Sequence, residues 1–291
     1  MYEIRYRNLI FTQKLLFLFF FSEQNGDLFV YIIGLRMHKY KHKHTKYKNL
    51  RVMGGPYIYP TSVETARAII SRIIQIMEEE PDKIFNVAFS GGDTPALMFD
   101  LWANEYTDKT PWERLKIWWA EERCVPPEHS DSNYRLMRML LLDTITISQE
   151  HIYRIKGEEK PAREALRYSE LVRKHVPEKD NCPIFDMILL GMSKEGDTSS
   201  IFSGQEQLLS STQIYEVCQS PYDGQTRISL TGHPMTKARH VMFLITGKAK
   251  ANIVRKILTS GDTSPAAYIY HHANNAEIFL DAGAASQLKQ Q

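Results

Sequence analysis

The chain has 291 residues, of which 43% are hydrophobic and 24% charged, so it can bury one large core or two modest ones. Its net charge of +2 is uneven, because residues 1–52 hold ten Lys/Arg and three Asp/Glu, a net +7, which leaves −5 for the remainder. The main part of the chain is therefore acidic, which argues against a nucleic-acid-binding surface.

Residues 1–52 do not show the pattern of a folded domain. The apolar runs at residues 15–21 and 28–35 are shorter than the ~20 residues that a membrane-spanning helix needs, and no small-x-small cleavage site follows them. A solvated basic stretch occupies residues 38–48. A membrane anchor, a disordered tail and translated sequence upstream of the true start are the three interpretations. The third is favoured, with initiation at Met53 or Met37 and one domain over residues 53–291.

From residue 57 onward, helix and strand patterns alternate. Thr61 and Glu64 have the spacing of a capping box, and apolar residues then recur at helical intervals as far as Met77. Further helices are predicted from about residue 97 to 101 and at 163–176 and 248–258, and Asp281 is expected to cap a last helix near residue 282. The predicted strands are residues 84–89, 115–119, 187–190, 227–230, 241–246 and 277–280. This alternation predicts an α/β, Rossmann-like fold with a mostly parallel sheet and helices on both faces.

Four polar clusters follow predicted strands, at residues 90–95, 120–126, 191–200 and 247–250. Each is ordinary by itself: a Gly-Gly pair is usually a tight turn, and an acid pair beside arginine is usually a local salt bridge. In a parallel α/β sheet, however, ligands bind beyond the carboxyl ends of the strands, and those ends converge in space. The four clusters together therefore predict one shared site.

The cluster at residues 191–200 resembles a phosphate-binding loop but departs from the nucleotide motif. It reads G-M-S-K-E-G-D-T-S-S, which gives the spacing G-x4-G-D-T, one residue away from a P-loop. Asp197 stands where that motif places its lysine, so a carboxylate would face the phosphates. This argues against a nucleotide site.

The ordered set of motifs resembles the 6-phosphogluconolactonase family, which is related to glucosamine-6-phosphate deaminase. The family's S-G-G-S-T-P appears as S-G-G-D-T-P at residues 90–95, and its W-x-D-E-R-x-V-P…S-N-Y as W-W-A-E-E-R-C-V-P at 118–126 with S-N-Y at 132–134. Its G-M-G-x-D-G-H-T-A-S-L-F-P-G aligns with residues 191–204, R-I-[ST]-L-T with 227–231 and G-x-x-K-A with 247–251. The resemblance covers roughly residues 55–291.

The resemblance implies hydrolysis of 6-phospho-D-glucono-1,5-lactone to 6-phosphogluconate without a metal or other cofactor. The amides of Gly91 and Gly92 and the Thr94 hydroxyl would cradle the phosphate, Arg227 and Lys250 would add positive charge, and Arg123 would orient the ligand. The residue at the position of the family histidine would act as general base, with oxyanion donors from the third loop. The implied catalytic residues are Asp197 and Glu121, and the implied substrate-binding residues are Ser90, Gly91, Gly92, Asp93, Thr94, Arg123, Gly191, Gly196, Arg227 and Lys250.

Departures from the motifs fall at the positions that the resemblance implies for catalysis and substrate binding. Asp197 replaces the histidine, Glu121 the first acid of D-E-R, Asp93 the serine of S-G-G-S and Ser193 the second glycine of G-M-G. A carboxylate is ordinarily a weaker base than imidazole, and one beside a phosphate dianion opposes binding. Three functions stay open: a lactonase with altered or reduced activity, a sugar-phosphate-binding protein without catalysis, and an amino-sugar-phosphate isomerase or deaminase.

The cysteine pattern bears on compartment and metal binding. Cys124, Cys182 and Cys218 form no C-x-x-C pair, which is typical of free thiols in a reducing compartment, here the cytoplasm. No ligand spacing indicates a metal site. The expected partner is a small sugar phosphate, with no nucleic acid and no membrane for the folded body, and the protein is expected to be a monomer or homodimer.

Overall fold

The chain divides into two compact units, Met1–Arg51 and Val52–Gln291. The computed structural model describes the backbone of residues 10–12, 15–21 and 28–34, and both backbone and side chains of residues 56–259 and 261–288. In the first unit, β1 (Ile10–Thr12), β2 (Leu15–Phe21) and β3 (Leu28–Gly34) pair antiparallel in that order. The predicted basic stretch at 38–48 and both proposed start methionines lie outside the described residues. The origin of residues 1–52 therefore stays a prediction.

The second unit alternates strands and helices along the chain. Its strands are β4 (Tyr57–Tyr59), β5 (Phe85–Phe89), β6 (Leu115–Trp119), β7 (Glu121–Arg123), β8 (Ile152–Tyr153), β9 (Glu178–Lys179), β10 (Cys182–Pro183), β11 (Met187–Leu190), β12 (Tyr215–Gln219), β13 (Thr226–Leu230), β14 (His240–Ile245) and β15 (Ala276–Asp281). Its α-helices are α1 (Ser62–Glu79), α2 (Asp93–Glu105), α3 (Asn133–Met137), α4 (Pro161–His175), α5 (Gln207–Ser210), α6 (Gly232–Lys237), α7 (Ala251–Thr259) and α8 (Pro265–His272).

Seven of these strands form one parallel sheet in the order β4-β15-β14-β11-β5-β6-β8, flanked by helices. This confirms the predicted α/β class. The chain runs from β5 outward to β6 and β8, and then returns to the other side of β5 to build β11, β14 and β15. The direction of strand order thus reverses between β5 and β11, which is where open α/β sheets hold their ligands.

The predicted strand at 227–230 belongs to a different sheet. It is β13, which pairs antiparallel with β12 on one side and with β7 on the other. Since β7 follows β6 after one residue, Ala120, this small sheet is attached directly to the carboxyl end of the parallel sheet. Its attachment brings β13 to the edge where the polar clusters lie.

Local sequence signals explain the first helix and the core. Thr61 Oγ1 accepts the Glu64 N–H at 3.2 Å while Glu64 Oε2 accepts the Thr61 N–H at 3.2 Å, so the predicted capping box is confirmed. Every residue of β5 and β11 is buried, as the apolar runs predict for central parallel strands. Trp118 is fully buried and stacks on Tyr153 with ring centroids 4.1 Å apart.

The expected last helix near residue 282 is wrong. Residues 282–287 form turns, and Asp281 is the last residue of β15. Its Oδ1 accepts the Ala284 N–H at 2.7 Å, and both of its carboxylate oxygens accept the Gly247 N–H, at 3.0 and 2.9 Å. Because the carboxylate is used to fix the start of the loop after β14, Asp281 supports that loop and does not cap a helix.

Candidate active site

The reversal of strand order sets four loops side by side. The neighbouring strands β14, β11, β5 and β6 lead at their carboxyl ends into residues 247–250, 191–200, 90–95 and 120–126. These are the four polar clusters identified in the sequence. The prediction that they share one edge of the sheet is confirmed.

The turn between β5 and α2 presents the start of a helix to this edge. Gly92 is the N-cap residue, with a φ of +109° that favours glycine. Thr94 Oγ1 lies 3.4 Å from Oγ1 of Thr246, the residue that follows β14, so the start of α2 contacts the loop after β14. The first N–H groups of a helix have no intrahelical acceptor, so the N–H groups of Asp93 and Thr94 are oriented to receive an anion.

The side chain of Asp93 does not take part in this turn. It is exposed and forms no hydrogen bond or ion pair with any residue in 56–259 or 261–288. A carboxylate in the first turn of a helix is stabilised by the helix dipole, and here it competes with an anionic ligand for the same field. Asp93 therefore lies at the start of α2, where its negative charge would oppose the binding of an anion.

Gly91 is the most crowded position of the turn. A Cβ there would overlap Oδ1 and Cγ of Asn133 and lie 2.8 Å from Nδ2. The Gly91 N–H donates to Glu121 Oε1 at 3.0 Å, and the Ser90 hydroxyl donates to Glu121 Oε2 at 2.9 Å. The Gly91 amide, predicted to contact a phosphate, is thus engaged by Glu121. That carboxylate is 6% exposed and has the contacts of a support for the turn, while its predicted catalytic role stays a prediction.

Asn133, at the start of α3, connects these elements and was not predicted as a site residue. Its Nδ2 donates to the Glu121 carbonyl at 2.9 Å, its Oδ1 accepts from Arg123 Nη1, and its N–H donates to Glu122 Oε1 at 2.7 Å. The signal that could have found it is its place in the S-N-Y segment of the second motif. Asn133 fixes the direction of Arg123 and the position of Gly91 at once.

Glu122 accepts hydrogen bonds from the start of α3. It is 2% exposed, and its two oxygens accept four hydrogen bonds, from the N–H groups of Arg123, Asn133 and Tyr134 and from the Ser132 hydroxyl. Burial raises the pKa of Glu122, and the backbone donors oppose that rise. The contacts make it a structural acceptor for α3.

Two arginines face each other across β7 and β13. Arg123 and Arg227 are directly opposite in the antiparallel register. Like charges at such a position are destabilising unless an anion lies between or beside them. Arg227 packs over the Phe202 ring at 5.5 Å and pairs with Asp223 at 3.3 Å, while its Nε is buried without a partner among the described residues. The pair provides positive charge at the edge of the site.

The loop after β11 carries local backbone strain. Ser199 and Ser200 have φ values of +46° and +56°, a region that residues with a Cβ rarely adopt. Ser199 is held there because its hydroxyl donates to the Ala120 carbonyl at 3.1 Å. Consecutive strained residues persist only where surrounding contacts determine them, and they cluster at functional loops. Gly191 begins this loop and Gly196 lies within it, and the Gly191 carbonyl accepts from the Thr198 hydroxyl at 2.8 Å.

Asp197 lies at the centre of that loop and is 5% exposed. Its Oδ2 accepts from the Ser193 hydroxyl at 3.0 Å and from the Tyr222 hydroxyl at 2.5 Å. Its Oδ1 accepts from the Ser203 N–H at 3.0 Å. The Asp197 N–H in turn donates to Ser193 Oγ at 3.0 Å, so two departures from the family motif, Ser193 and Asp197, are bonded to each other. Three donors thus hold the Asp197 carboxylate in one orientation.

Lys250 reaches toward Asp197 from the neighbouring loop. Its ammonium group donates to the Met192 carbonyl, and it interacts electrostatically with Asp197 and Glu195. Burial lowers the pKa of Lys250, and the two carboxylates oppose that change. Ser90, Thr94, Arg123, Asp197 and Lys250 thus lie on the loops at one edge of the parallel sheet, and Arg227 lies on β13, which pairs with β7 at the same edge.

The described part of the chain holds neither a metal-binding cluster nor a membrane-spanning helix. No group of three or more His, Cys, Asp or Glu side chains in residues 56–259 and 261–288 is arranged to hold a metal ion. Among the same residues, no helix has the length and apolar character needed to cross a membrane.

Comparison with known proteins assigns the family. The family model described as glucosamine-6-phosphate isomerases/6-phosphogluconolactonase matches residues 60–279 of this chain. A 6-phosphogluconolactonase of Treponema pallidum is 34% identical over 69% of this chain and 84% of its own length. One of Haemophilus influenzae is 33% identical over 78% of this chain and 98% of its own length. The structure of a 6-phosphogluconolactonase from Trypanosoma brucei superimposes with a TM-score of 0.71 at 25% identity, covering 80% of this chain and 98% of that one. The chain therefore belongs to the glucosamine-6-phosphate isomerase/6-phosphogluconolactonase family.

Proposed function

We propose that this chain hydrolyses 6-phospho-D-glucono-1,5-lactone to 6-phosphogluconate, a step of the oxidative pentose phosphate pathway. The observation that carries the proposal is the buried Asp197 carboxylate on the same sheet edge as the free helix start at Gly92 and the cations Arg227 and Lys250. The names of the relatives support the same substrate.

The phosphate end of the substrate is assigned to the start of α2. The N–H groups of Asp93 and Thr94 and the Thr94 hydroxyl are the donors there, since the Gly91 N–H is already bonded to Glu121. Lys250 adds positive charge from the neighbouring loop, and Arg123 and Arg227 line the other side. With the phosphate bound at the start of α2, the lactone ring of the substrate would lie toward the loop after β11.

The chemical step uses Asp197 as general base. Its Oδ2 already has two donors, whereas Oδ1 has the single Ser203 N–H among the described residues, so a lone pair of Oδ1 is left for a water molecule. The water oxygen forms a bond to C1 while its proton passes to Asp197, giving a tetrahedral oxyanion. The C1–O5 bond then breaks and the proton passes to O5, which leaves an open-chain acid.

The test is a lactonase assay coupled to oxidation of the 6-phosphogluconate that forms, with spontaneous hydrolysis at the same pH as the baseline. The wild type is expected to exceed that baseline, and Asp197→Asn to lose about 10²- to 10⁴-fold in kcat, the usual contribution of a general base. A wild-type rate equal to the spontaneous rate would overturn the proposal.

A second candidate is a sugar-phosphate-binding protein without catalysis, and one observation favours it. All three donors on Asp197 belong to the protein, so the carboxylate already has partners before any water arrives. Retained binding of 6-phosphogluconate, measured by calorimetry, together with the absence of a catalysed rate would establish this alternative. The deaminase alternative needs an Asp base in the second motif and an Asp-x-His pair in the third, where this chain has Glu121 and no histidine.

We further propose a cytoplasmic protein that acts on a small sugar phosphate as a monomer or homodimer. All three cysteines are free, and burial raises the pKa of both Cys124 and Cys182 to about 11, as expected for unreactive thiols kept reduced. Gel filtration with light scattering distinguishes the two oligomeric states, and a higher assembly would contradict both.

A further inference from the structure

The hairpin between β12 and β13 carries a tyrosine that reaches into the site. Tyr222 is 60% exposed, which is unusual for a large aromatic side chain, yet its hydroxyl donates to the buried Asp197 Oδ2 at 2.5 Å. The two residues are 25 positions apart in the chain. An exposed ring with a buried polar end indicates that the contact of the hydroxyl, rather than burial of the ring, determines where this side chain lies.

The position of the Tyr222 ring is fixed by its surroundings. It packs edge-on against Phe202 with centroids 5.8 Å apart, and the same Phe202 ring carries the Arg227 guanidinium on its face. The hairpin tip is closed by two hydrogen bonds, Ser220 N–H to the Gln225 carbonyl at 3.0 Å and Gly224 N–H to the Ser220 carbonyl at 2.9 Å. Tyr222 is therefore placed before any ligand binds.

The chemistry of position 197 explains why such a donor is needed. Asp197 stands where the family motif has histidine, and an ionised carboxylate is an acceptor at both oxygens. It can be held in one orientation only by groups that donate. Ser193 and Tyr222 both donate to Oδ2, which directs Oδ1 away from them. The hydrogen bond to Asp197 is the main cause that raises the pKa of Tyr222 above its usual range, followed by partial burial, so the phenol stays a neutral donor at working pH.

We propose that Tyr222 is a positioning residue for lactone hydrolysis, which holds the Asp197 carboxylate turned so that Oδ1 faces the attacking water. The inference rests on the proposed function of this site. It makes the tip of the β12–β13 hairpin, which none of the five sequence motifs includes, a part of the catalytic apparatus.

The other charged groups around this pair do not replace Tyr222. Lys250 and Glu195 interact electrostatically with the pair from the loops after β14 and β11, and their opposite signs partly cancel. Arg227 faces the hairpin tip but is paired with Asp223 at 3.3 Å. None of these three groups donates a hydrogen bond to Asp197.

The experiment compares Tyr222→Phe with the wild type, using the full chain. The variant keeps the ring against Phe202 and removes the hydroxyl. We expect kcat to fall about tenfold or more, as for loss of a hydrogen bond to a charged group, with KM and 6-phosphogluconate binding within about twofold. The acid limb of the pH–rate profile should move to higher pH, because a donor that favours the ionised carboxylate is gone. Ser193→Ala, which removes the other donor on Oδ2, should shift the limb in the same direction.

The matched control is Tyr57→Phe, which removes a hydroxyl from another exposed tyrosine on the edge strand β4, away from the site. It should leave kcat and the pH profile unchanged. An active wild type with the same kcat and the same acid limb in Tyr222→Phe would overturn the role of Tyr222 and leave the proposed function intact. A wild-type rate equal to the spontaneous rate would overturn both. If Tyr222→Phe is poorly folded by thermal unfolding, an unshifted acid limb in Ser193→Ala decides against the inference.

Discussion

Substituting Gly91 by alanine should break the contact that fixes the β5–α2 turn against α3. A Cβ at Gly91 would overlap Oδ1 and Cγ of Asn133, so that side chain has to move. Its movement breaks the hydrogen bond from Nδ2 to the Glu121 carbonyl and the one that Oδ1 accepts from Arg123. A neutral hydrogen bond contributes about 0.5–1.5 kcal/mol and one to a charged group about 1.5–3 kcal/mol. We therefore expect the free energy of unfolding to fall by about 2–4 kcal/mol.

The assay is a double-mutant cycle followed by urea unfolding. Asn133→Ala removes all three atoms that the new Cβ would meet, so in that background Gly91→Ala should cost less than about 1 kcal/mol, a coupling of about 2 kcal/mol. Gly191→Ala is the matched control, because its φ is not positive and a Cβ there meets no atom within 4 Å; its cost should stay within about 1 kcal/mol. Equal costs of Gly91→Ala with and without Asn133 would refute the reasoning, since the strain would then lie in the backbone.

Three other substitutions test the electrostatics of the fold and the site. Asp93→Ser removes an unpaired carboxylate from the start of α2, so KM for a phosphorylated substrate should fall about two- to fivefold at low ionic strength. The fall in KM should be smaller in about 0.5 M salt, and an unchanged KM at low salt would contradict this expectation. In Glu122→Gln the side-chain NH₂ faces N–H or O–H donors in either orientation of the amide. The free energy of unfolding in urea should therefore fall by about 2–4 kcal/mol, and a fall of less than about 1 kcal/mol would argue against the four hydrogen bonds to Glu122 as a support for α3. Burial raises the pKa of Glu277, but the interactions with His240 at 3.8 Å and with Arg72, which donates hydrogen bonds to the carboxylate, outweigh it, so the pKa is lowered in the folded protein. The ionised carboxylate then stabilises the fold above its unfolded pKa of about 4.3, and this stability is lost as pH falls through the lower folded value. Glu277→Gln should be less stable than the wild type by about 1–2 kcal/mol at about pH 7, and the gap should shrink toward about pH 3; a gap independent of pH would count against the ionic contribution.

Much of the fold was predictable because its signals are local. The capping box of Thr61 and Glu64 marks the start of α1 within four residues. The apolar run of β11 is short, continuous and followed by glycine, and β5 is apolar except for Asn86, which is typical of central parallel strands. The four polar clusters could be assigned to one edge because parallel strands all end on the same side of a sheet. Those inferences need no contact between distant residues.

The remaining parts depend on contacts that no local pattern reports. The segment Glu121–Arg123 consists of charged residues and lacks the alternation of a strand, yet it forms β7 because β13 pairs with it. Asn133 matters through its fit against Gly91, 42 positions earlier, which depends on the packing of α3. Tyr222 lies on a hairpin tip, where sequence gives a turn signal but not the direction of a side chain.

These non-local contacts change the meaning of the unusual residues in the third motif. Taken one at a time, Asp197 in place of histidine and Ser193 in place of glycine both weaken the case for catalysis. In the structure they form a set with Tyr222: the carboxylate requires donors, the serine supplies one from within the loop, and the tyrosine supplies one from the hairpin. A histidine at position 197 would present one donor and one acceptor nitrogen and could not use both hydroxyls in the same way. The carboxylate that we propose as the base is thus accompanied by the hydrogen bonds that orient it, which is the physical reason to expect catalysis from this chain.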